Sequence, residues 1–359
     1  MKPESRLLQN IVTRSSSPWM DGSGGSADVV ISGRVRLARN LRDQKFPHLL
    51  DERSAKSVMD SVALAVNQMN GKEAVPPMTF VPLDDVSSLD RQVLVEKHLL
   101  SPQHAQPGRG RALVTRPDEK MAIMVNEEDH VRLQCLHSGL GLETALADAM
   151  AVDDLLDEVL DFAFDERSGY LTACPTNVGT GLRASVMVHL PALALADEVG
   201  RVLSAVNKLG LVVRGLYGEG TEGTGNVYQI SNQITLGQTE KEIVEKLTLV
   251  ANQVVAEEQR CRDDLLETKR ATVEDLVWRA WGILTSARIM SSSEAVKLWS
   301  EVRLGVESGI VHGTDMKGIN EILVISQPNF VMKSSGHALT PEERDYRRAH
   351  LIRQHLASV

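Results

Sequence analysis

Two acidic pairs and a high density of loop arginines are the residues of this chain whose types and spacing could do chemistry. One pair lies in Glu127-Glu128-Asp129-His130, and the other lies in Gly218-Glu219-Gly220-Thr221-Glu222. The arginines stand in or beside stretches that contain glycine, serine or asparagine, and they are Arg34, Arg36, Arg132, Arg183 and Arg214. A guanidinium group is a planar fork of donors that stays charged and matches phosphate oxygens bidentately. Several such groups therefore indicate a polyanion, of which a nucleoside triphosphate is the commonest small one.

Phosphoryl transfer is the reaction that fits both features. It needs positioning and neutralisation of charge more than covalent chemistry. The carboxylates would orient a cationic or protic acceptor and take its proton. A lone arginine in a loop is usually a solvated charge, and Glu127-Glu128-Asp129 alone would be an exposed acidic turn. The prediction therefore rests on the combination of the two.

The bulk composition limits the classes of protein that remain. The chain has 359 residues, of which 42% are hydrophobic, and this predicts two domains. Its formal net charge of −9 argues against a nonspecific nucleic-acid or membrane-surface role. Three cysteines without a CxxC spacing favour a reducing cytoplasm and no structural zinc. No long apolar run follows Met1, so neither a signal peptide nor a membrane span is expected.

Hydrophobic periodicity predicts an α+β catalytic domain followed by a small α-helical one. Residues 14–26 are polar and rich in glycine and serine, which predicts a mobile segment. Predicted helices cover residues 55–69, 142–164, 191–209 and 239–269, and predicted strands cover residues 112–114, 121–125, 131–133, 170–172, 184–189, 211–213 and 227–230. We expect a mobile N-terminal segment (1–26), a catalytic domain (27–268) and a C-terminal helical domain (269–359).

Five segments resemble the phosphagen (guanidino) kinases, in the order that family has them. The most specific is Cys174-Pro175-Thr176-Asn177-Val178-Gly179-Thr180, which matches the family signature. The other four begin at Ser32, Val125, Gly181 and Arg214, and read SGRVRLARN, VNEEDH, GLRAS and RGLYGEGTE. The resemblance implies a catalytic domain with an antiparallel sheet flanked by helices, and ATP with Mg²⁺ as cofactors. Because phosphates and water can hold Mg²⁺, no protein metal site is expected.

The resemblance also implies roles for individual residues. The five arginines look like the phosphate-binding arginines, and Ser32 and Ser185 stand in the same nucleotide-binding segments. Glu128 and Glu219 look like the two carboxylates that hold the guanidinium. We assign Glu128 as the base and Glu219 as the clamp, with the reverse assignment left open. Cys174 resembles the family's reactive cysteine, and His98 resembles the histidine that packs on adenine.

Departures from the family pattern indicate a protein substrate. Phosphagen kinases carry a helical domain before the Arg-Val-Arg motif, whereas Arg34 comes almost at the start here, so that domain is expected to be missing. The added C-terminal helical region and its Arg-Asp-x-x-Arg-Ala segment resemble the bacterial protein arginine kinases. Met187 replaces a histidine on the adenine side, and Gly33 replaces the usual serine or threonine.

That resemblance implies partners and regulation. Arg344, Asp345 and Arg348 would form an allosteric site for phosphoarginine, because an aspartate can grip a guanidinium while an arginine grips its phosphate. The chain would act on exposed arginines of other proteins in quality control and stress response, marking them for regulation or degradation. It would form a homodimer or a higher oligomer, and an activator protein and an AAA+ Clp-type protease are further implied partners.

Three other functions remain open on the sequence. In a guanidino-group transferase or hydrolase, Cys174 would be the covalent nucleophile, but such an enzyme gives no reason for so many arginines. A non-catalytic phosphoarginine-binding adaptor would not need Glu128 and Glu219 intact. A small-molecule phosphagen kinase is disfavoured by the departures described above.

Overall fold

The computed structural model describes residues 3–72, 74–215 and 223–358. Its strands are β1 (Val30–Arg39), β2 (Thr79–Pro82), β3 (Ala112–Thr115), β4 (Met121–Val125), β5 (Val131–Ser138), β6 (Phe164–Asp165), β7 (Gly169–Tyr170), β8 (Leu182–His189), β9 (Leu211–Gly215) and β10 (Val227–Asn232). Eight of them form one sheet in the order β2-β3-β4-β5-β1-β8-β10-β9, while β6 and β7 form a small hairpin. The pairings within the sheet are antiparallel. The α+β expectation with an antiparallel sheet is confirmed.

Helices lie on both faces of the sheet and make up the C-terminal region. They are α1 (Pro3–Thr13), α2 (Glu52–Asn70), α3 (Ser88–Glu96), α4 (Leu142–Asp157), α5 (Pro191–Leu195), α6 (Val199–Lys208), α7 (Glu240–Thr268), α8 (Arg270–Ser286), α9 (Ser292–Glu307), α10 (Met316–Ile325), α11 (Pro328–Ser335) and α12 (Pro341–Leu356). Two of them begin with a reciprocal capping box, formed by Thr239 with Glu242 and by Thr340 with Glu343. Such a box satisfies backbone donors that a helix start would otherwise leave unpaired. No helix in the described ranges is long and apolar enough to cross a membrane.

Two hydrophobic clusters cover the two faces of the sheet. One joins Val35 and Leu37 of β1 to helices α2, α4 and α7. The other joins Leu136 and Met187 on the opposite face to helices α1 and α3 and to the C-terminal helices α8 to α12. Side chains two apart on a strand share a face. The C-terminal helices therefore pack on the sheet face that carries Arg34, Arg36 and Arg132.

A buried arginine fastens the C-terminal helices to the sheet. Arg303 of α9 donates to the carbonyl oxygens of Ala27 (2.7 Å) and Asp28 (3.2 Å) just before β1. Its Nη1 also contacts Nδ1 of His189 in β8 at 2.7 Å, and its charge is balanced by Glu307. Breaking a buried pair of this kind leaves an uncompensated charge, which makes the contact a firm attachment.

Some predicted elements differ from the observed ones. The predicted helix over 142–164 ends at Asp157, because the chain turns back so that the amide of Ala163 donates to Asn40 at 2.7 Å. The predicted helix over 191–209 is split into α5 and α6, and the break lies at Asp197, whose φ is 60°. Of the predicted strand over 170–172, only Tyr170 lies in an observed strand, β7.

The described residues 3–26 pack against the rest of the fold, while the mobility expected for residues 1–26 stays a prediction. Residues 3–13 form α1, and Trp19 and Met20 are each only 1% exposed. Their apolar side chains insert beneath the C-terminal helices, where Asn320 donates to the carbonyl of Met20 at 2.9 Å. The break between α7 and α8 at Lys269 coincides with the predicted domain boundary. The division into domains stays a prediction, since one hydrophobic cluster spans that boundary.

Candidate active site

Four strands bring the five predicted arginines together. In the sheet register, Arg36 of β1 lies opposite Arg183 of β8, and Ala38 lies opposite Arg132 of β5. Arg214 of β9 lies opposite Gln229 of β10, and Gln229 accepts a hydrogen bond from Arg34 at 3.1 Å. The alternation of side chains along antiparallel strands directs these groups to the same face. The predicted cluster therefore exists in the fold.

The arginines line two adjoining cavities. The first, which we call the carboxylate cavity, holds about 170 Å³ and is lined by Glu128, Cys174 and Asn177 together with Arg36, Arg132, Arg183 and Arg214. The second, the histidine cavity, holds about 450 Å³ and is lined by His98 and several apolar side chains together with Arg34, Arg36 and Arg132. Because Arg36 and Arg132 line both cavities, one elongated anion could span them.

Crowding of like charges perturbs the arginines. Burial, followed by the nearby charges of Arg132 and Arg183, lowers the pKa of Arg34 to about 10. Burial and the charges of neighbouring arginines lower the pKa of Arg36 far more, and they also lower the pKa of Arg183. Each cation is thus disfavoured by its neighbours. A polyanion bound between them would relieve that repulsion.

Glu127 and Glu128 have opposite environments although they are adjacent. Glu127 accepts hydrogen bonds from Ser101 (2.7 Å) and from Arg132, and is buried. Its burial opposes ionisation, but the charge of Arg132 and these bonds outweigh it and lower the pKa of Glu127 to about 2. Burial and the neighbouring Asp129 instead raise the pKa of Glu128. Glu127 thus positions Arg132, while half-buried Glu128 is the more basic carboxylate and lines the carboxylate cavity.

A buried aspartate holds the cysteine segment beside Glu128. Oδ1 of Asp129 accepts from Nδ2 of Asn40 (2.6 Å) and from the amide of Ala173 (2.7 Å). Cys174 follows directly, half-buried, with its Sγ 3.0 Å from Oγ1 of Thr176. Cys174 and Glu128 therefore line the same cavity from different loops.

The histidine cavity is built around His98. This residue has a φ of 61°, and its carbonyl accepts from Gln134 at 2.7 Å. Its ring stands edge-on to Trp19 with centroids 5.1 Å apart, and its buried Nε2 has no partner among the described residues. Burial and the charge of Arg34 lower the pKa of His98 to about 4, so the ring is neutral. A neutral ring beside apolar walls suits a planar base.

Other predicted site residues take different places. Ser32 and Ser185 are buried in β1 and β8, on the same face as the arginines, and neither lines the two cavities. Met187 packs in the hydrophobic cluster that faces the C-terminal helices. Glu219 and the rest of residues 216–222 lie outside the described residues, so the role assigned to Glu219 and to that loop stays a prediction.

The C-terminal set lies on α12, apart from the two cavities. Arg348 is buried and donates to the carbonyls of Ser326 (2.6 Å) and Met290 (2.8 Å), and it also pairs with Asp345. Arg344 is half-buried, and its Nε has no hydrogen-bond partner among the described residues. The structure thus brings Asp345 and Arg348 together, and gives Arg348 a role in holding the backbone.

Sequence reasoning missed several residues of the site. Asn40 and Asp129 stand inside the matched segments, so their position was a signal that they matter, but their partnership with Ala173 is not visible in the sequence. Gln229 carries no motif and is found only through the strand register. Gln327, which lines the histidine cavity, comes from the C-terminal helical region and has no sequence signal of any kind.

Comparison with known proteins agrees with this geometry. Residues 57–261 match the family described as the ATP:guanido phosphotransferase C-terminal catalytic domain. Residues 270–359 match the protein-arginine kinase McsB C-terminal domain. Among solved structures, the duplicated taurocyamine kinase from Schistosoma mansoni with bound transition-state analogue components has a TM-score of 0.60 and 25% identity. That match covers 78% of this chain and 41% of that protein's length. Lombricine kinase has a TM-score of 0.56 and 25% identity, over 71% of this chain and 77% of that one.

Relatives at higher identity span nearly the whole chain. A protein-arginine kinase from Pelotomaculum thermopropionicum is 49% identical over 352 residues, which is 98% of this chain and 99% of the relative. Another from Moorella thermoacetica is 51% identical over 342 residues, covering 95% and 98%. The chain therefore belongs to the ATP:guanido phosphotransferase family, within its protein-arginine kinase group.

Proposed function

We propose that this protein transfers the γ-phosphoryl group of ATP to the guanidinium side chain of arginine residues in other proteins. The observation that carries the proposal is the carboxylate cavity. It places one carboxylate of raised pKa, Glu128, opposite a wall of guanidinium groups. The wall suits the phosphates of the donor, and the carboxylate suits the cationic acceptor. The relatives' name, protein-arginine kinase, supports a protein as the acceptor.

Each described residue has a distinct part in this reaction. Arg36 and Arg132, which line both cavities, would hold the phosphates, while Arg183 and Arg214 would neutralise charge on the transferring group. Guanidinium is a poor nucleophile because its lone pairs are delocalised, and its pKa exceeds about 12. Glu128 would align one acceptor nitrogen with the phosphorus and accept its proton. Cys174, on the opposite loop, would orient the same guanidinium.

The described lining of the carboxylate cavity offers few protein ligands to the proposed Mg²⁺. Among the described residues that line the carboxylate cavity, Glu128 is the one carboxylate, and it is assigned to the acceptor. Phosphate oxygens and water would therefore supply most ligands of the ion, which is how Mg²⁺ is commonly bound. When bound, the ion offsets negative charge on the phosphates. The cluster of Cys135, His137 and Asp148 lies between β5 and α4 on the other face of the sheet and has no part in this site.

Mass spectrometry tests the proposal directly. The protein is incubated with Mg-ATP and an arginine-rich protein, and the products are mapped for phosphate that is lost in acid. We expect phosphorylated arginines with the wild type and none with Glu128→Gln. Transfer to free L-arginine with comparable catalytic efficiency would instead indicate a small-molecule phosphagen kinase. Covalent labelling of Cys174 by a guanidino substrate without ATP would indicate the hydrolase alternative.

We also propose that α12 binds phosphoarginine and thereby regulates the enzyme. The free Nε of Arg344 could donate to a phosphate, and Asp345 could accept from a guanidinium, while Arg348 holds Asp345 in place. Large exposed apolar side chains on α8, Trp278 (49% exposed) and Ile283 (41% exposed), support a homodimer or higher oligomer. An activator protein and an AAA+ Clp-type protease remain proposals by family resemblance. The three free cysteines favour a cytoplasmic location.

A further inference from the structure

The histidine cavity has one wall that the catalytic sheet does not supply. Its walls combine Arg34, Arg36 and Arg132 with His98 and with apolar side chains such as Val95, Leu100 and Met124. Among the described residues that line it, Gln327 alone comes from the C-terminal helical region, in the turn between α10 and α11. The helical region therefore contributes a polar side chain to the cavity that His98 lines.

The orientation of the Gln327 amide is determined by its neighbour. Its nitrogen donates to the carbonyl oxygen of Leu323 at 2.9 Å. A carbonyl can only accept, so the nitrogen must face Leu323 and the amide oxygen must point away from it. No residue in the described ranges donates a hydrogen bond to that oxygen, and the side chain is half-buried. Gln327 thus offers a free acceptor at the cavity.

Contacts on both sides hold the Gln327 backbone. One residue before it, the carbonyl of Ser326 accepts from Arg348 at 2.6 Å. Two and three residues after it, the amides of Asn329 (2.9 Å) and Phe330 (2.8 Å) donate to the carboxylate of Glu96. Glu96 ends α3 and itself lines the cavity. The acceptor is therefore positioned before any ligand binds, which reduces the entropic cost of binding.

A second polar group in the same cavity lacks a partner. The buried Nε2 of His98 has no hydrogen bond in the described part of the chain. Buried polar atoms are rarely left unpaired in native proteins, so this one indicates a ligand or a water. A purine offers both kinds of partner at its edges. Adenine carries a 6-amino donor, whereas 6-oxo purines carry an acceptor at that position.

We propose that Gln327 reads position 6 of the nucleotide base, with its Oε1 accepting a hydrogen bond from the 6-amino group of adenine. The helical region is then part of the nucleotide site. A 6-oxo purine would place an acceptor against Oε1 and leave both oxygens unpaired, which is costly in a buried site. This inference rests on the proposed function, because it assumes a nucleoside triphosphate as the donor.

The test compares ATP with inosine triphosphate, which has the same phosphates and ribose but a 6-oxo group. We expect the wild type to favour ATP by about tenfold or more in kcat/KM, in the range of one hydrogen bond to a buried group. Gln327→Met keeps the side-chain length but removes the acceptor, and should raise KM for ATP about tenfold with kcat nearly unchanged. Gln327→Glu keeps an acceptor but loses the nitrogen that donates to Leu323, and should retain the preference only in part. Gln354→Met, at an exposed position on α12, is the matched control.

Calorimetric titration with ADP and inosine diphosphate keeps this test separate from the proposed function. Suppose that neither the wild type nor any variant transfers phosphate to arginine, but the wild type binds ADP at least tenfold more tightly than inosine diphosphate. The proposed phosphate acceptor is then wrong, while the proposed recognition of adenine by Gln327 stands. Equal affinity of the wild type for the two diphosphates would overturn the proposed recognition of adenine by Gln327, whether or not the variants fold. A Gln327→Met protein that keeps the wild-type preference within twofold would overturn it as well.

Discussion

Arg36 and Arg183 lie directly opposite each other on the neighbouring antiparallel strands β1 and β8. Like charges in such cross-strand positions destabilise a sheet. Burial, followed by the charges of Arg34, Arg132 and Arg183, lowers the pKa of Arg36. Burial, followed by the charges of Arg214 and Arg132, lowers the pKa of Arg183. A polyanion bound between the two side chains would offset their repulsion. Two predictions follow from this geometry.

The first concerns catalysis. Replacement of Arg183 by alanine should lower kcat/KM for ATP by about 10²–10³-fold, the range seen when one transition-state donor is removed. Arg183→Lys should recover only part of this loss, because an ammonium cannot bind phosphate bidentately. Steady-state kinetics with varied ATP measure the effect. Lysine and alanine variants that both retain wild-type kinetics would contradict the phosphate assignment.

The second concerns stability without ligand. Arg36→Met should raise the free energy of unfolding of the ligand-free protein by about 0.5–1 kcal/mol, since it removes a like-charge pair. The same change should abolish most of the stabilisation that Mg-ADP confers on the wild type. Urea unfolding with and without Mg-ADP measures both effects. Arg42→Met, at an exposed surface ion pair with Asp161, is the control and should change neither.

Replacement of Glu128 by glutamine should abolish phosphoryl transfer and leave ADP affinity within about twofold. The amide keeps the shape of the side chain but loses its charge and its basicity. In the wild type, the activity should fall as pH drops through the raised pKa of Glu128, because the protonated carboxyl cannot accept a proton. Turnover and ADP titration are measured on the same preparation. Near-normal turnover of the variant would exclude Glu128 as the base.

Sequence reasoning located the arginine cluster because strand alternation and matched segments both constrain it. Arg34 and Arg36 are two apart on one strand, so they must share a face wherever that strand lies. The pairing of Asp129 with Asn40 and Ala173 could not be predicted, because it depends on three loops that meet only in the folded chain.

The helical region was predicted as a separate domain because its amphipathic pattern says nothing about its partner surface. In the structure, it packs on the arginine-bearing face and supplies Gln327 to the histidine cavity. The polar composition of residues 14–26 also does not reveal that two apolar side chains in this segment, Trp19 and Met20, are buried. Composition averages over a segment, whereas burial depends on individual side chains.

Arg348→Ala should lower the free energy of unfolding by about 2–4 kcal/mol, because it leaves Asp345 and two buried carbonyls without their donor. It should also raise KM for ATP, since Arg348 holds the carbonyl of Ser326, the residue next to Gln327. Arg344→Ala should change the free energy of unfolding by less than about 0.5 kcal/mol but remove phosphoarginine binding. Urea unfolding and calorimetric titration with phosphoarginine measure these effects. Unchanged phosphoarginine affinity in Arg344→Ala would refute the proposed regulatory site.

Buried histidines predict a loss of stability in mild acid. Burial lowers the pKa of His104, His130 and His189 to about 4 each, from an ordinary value of 6.5. Between these pH values the unfolded chain binds more protons, so the free energy of unfolding should fall as pH drops from about 6.5 to 4. Burial raises the pKa of Glu258 to about 7 and also raises the pKa of other carboxyls, so these groups oppose the trend; the others are Glu96, Glu128, Asp129, Asp153 and Glu301.

Urea unfolding across that pH window measures the histidine effect. His104→Gln should reduce the slope of the free energy of unfolding against pH by up to about 1.4 kcal/mol per pH unit, the contribution of one proton. His350→Gln, at an exposed position on α12, should leave the slope unchanged. A slope for His104→Gln equal to that of the wild type would contradict the assignment of His104 as a neutral buried histidine.

Phosphorus NMR shows whether the phosphate acceptor is an arginine side chain in a polypeptide. A peptide with a single arginine is incubated with Mg-ATP and the protein, alongside the same peptide with lysine in that position and alongside the Glu128→Gln protein. We expect a phosphoramidate signal for the arginine peptide with the wild type alone, and we expect that signal to disappear in acid. An equal signal from the lysine peptide, or no signal from the arginine peptide while the wild type binds ATP, would contradict it.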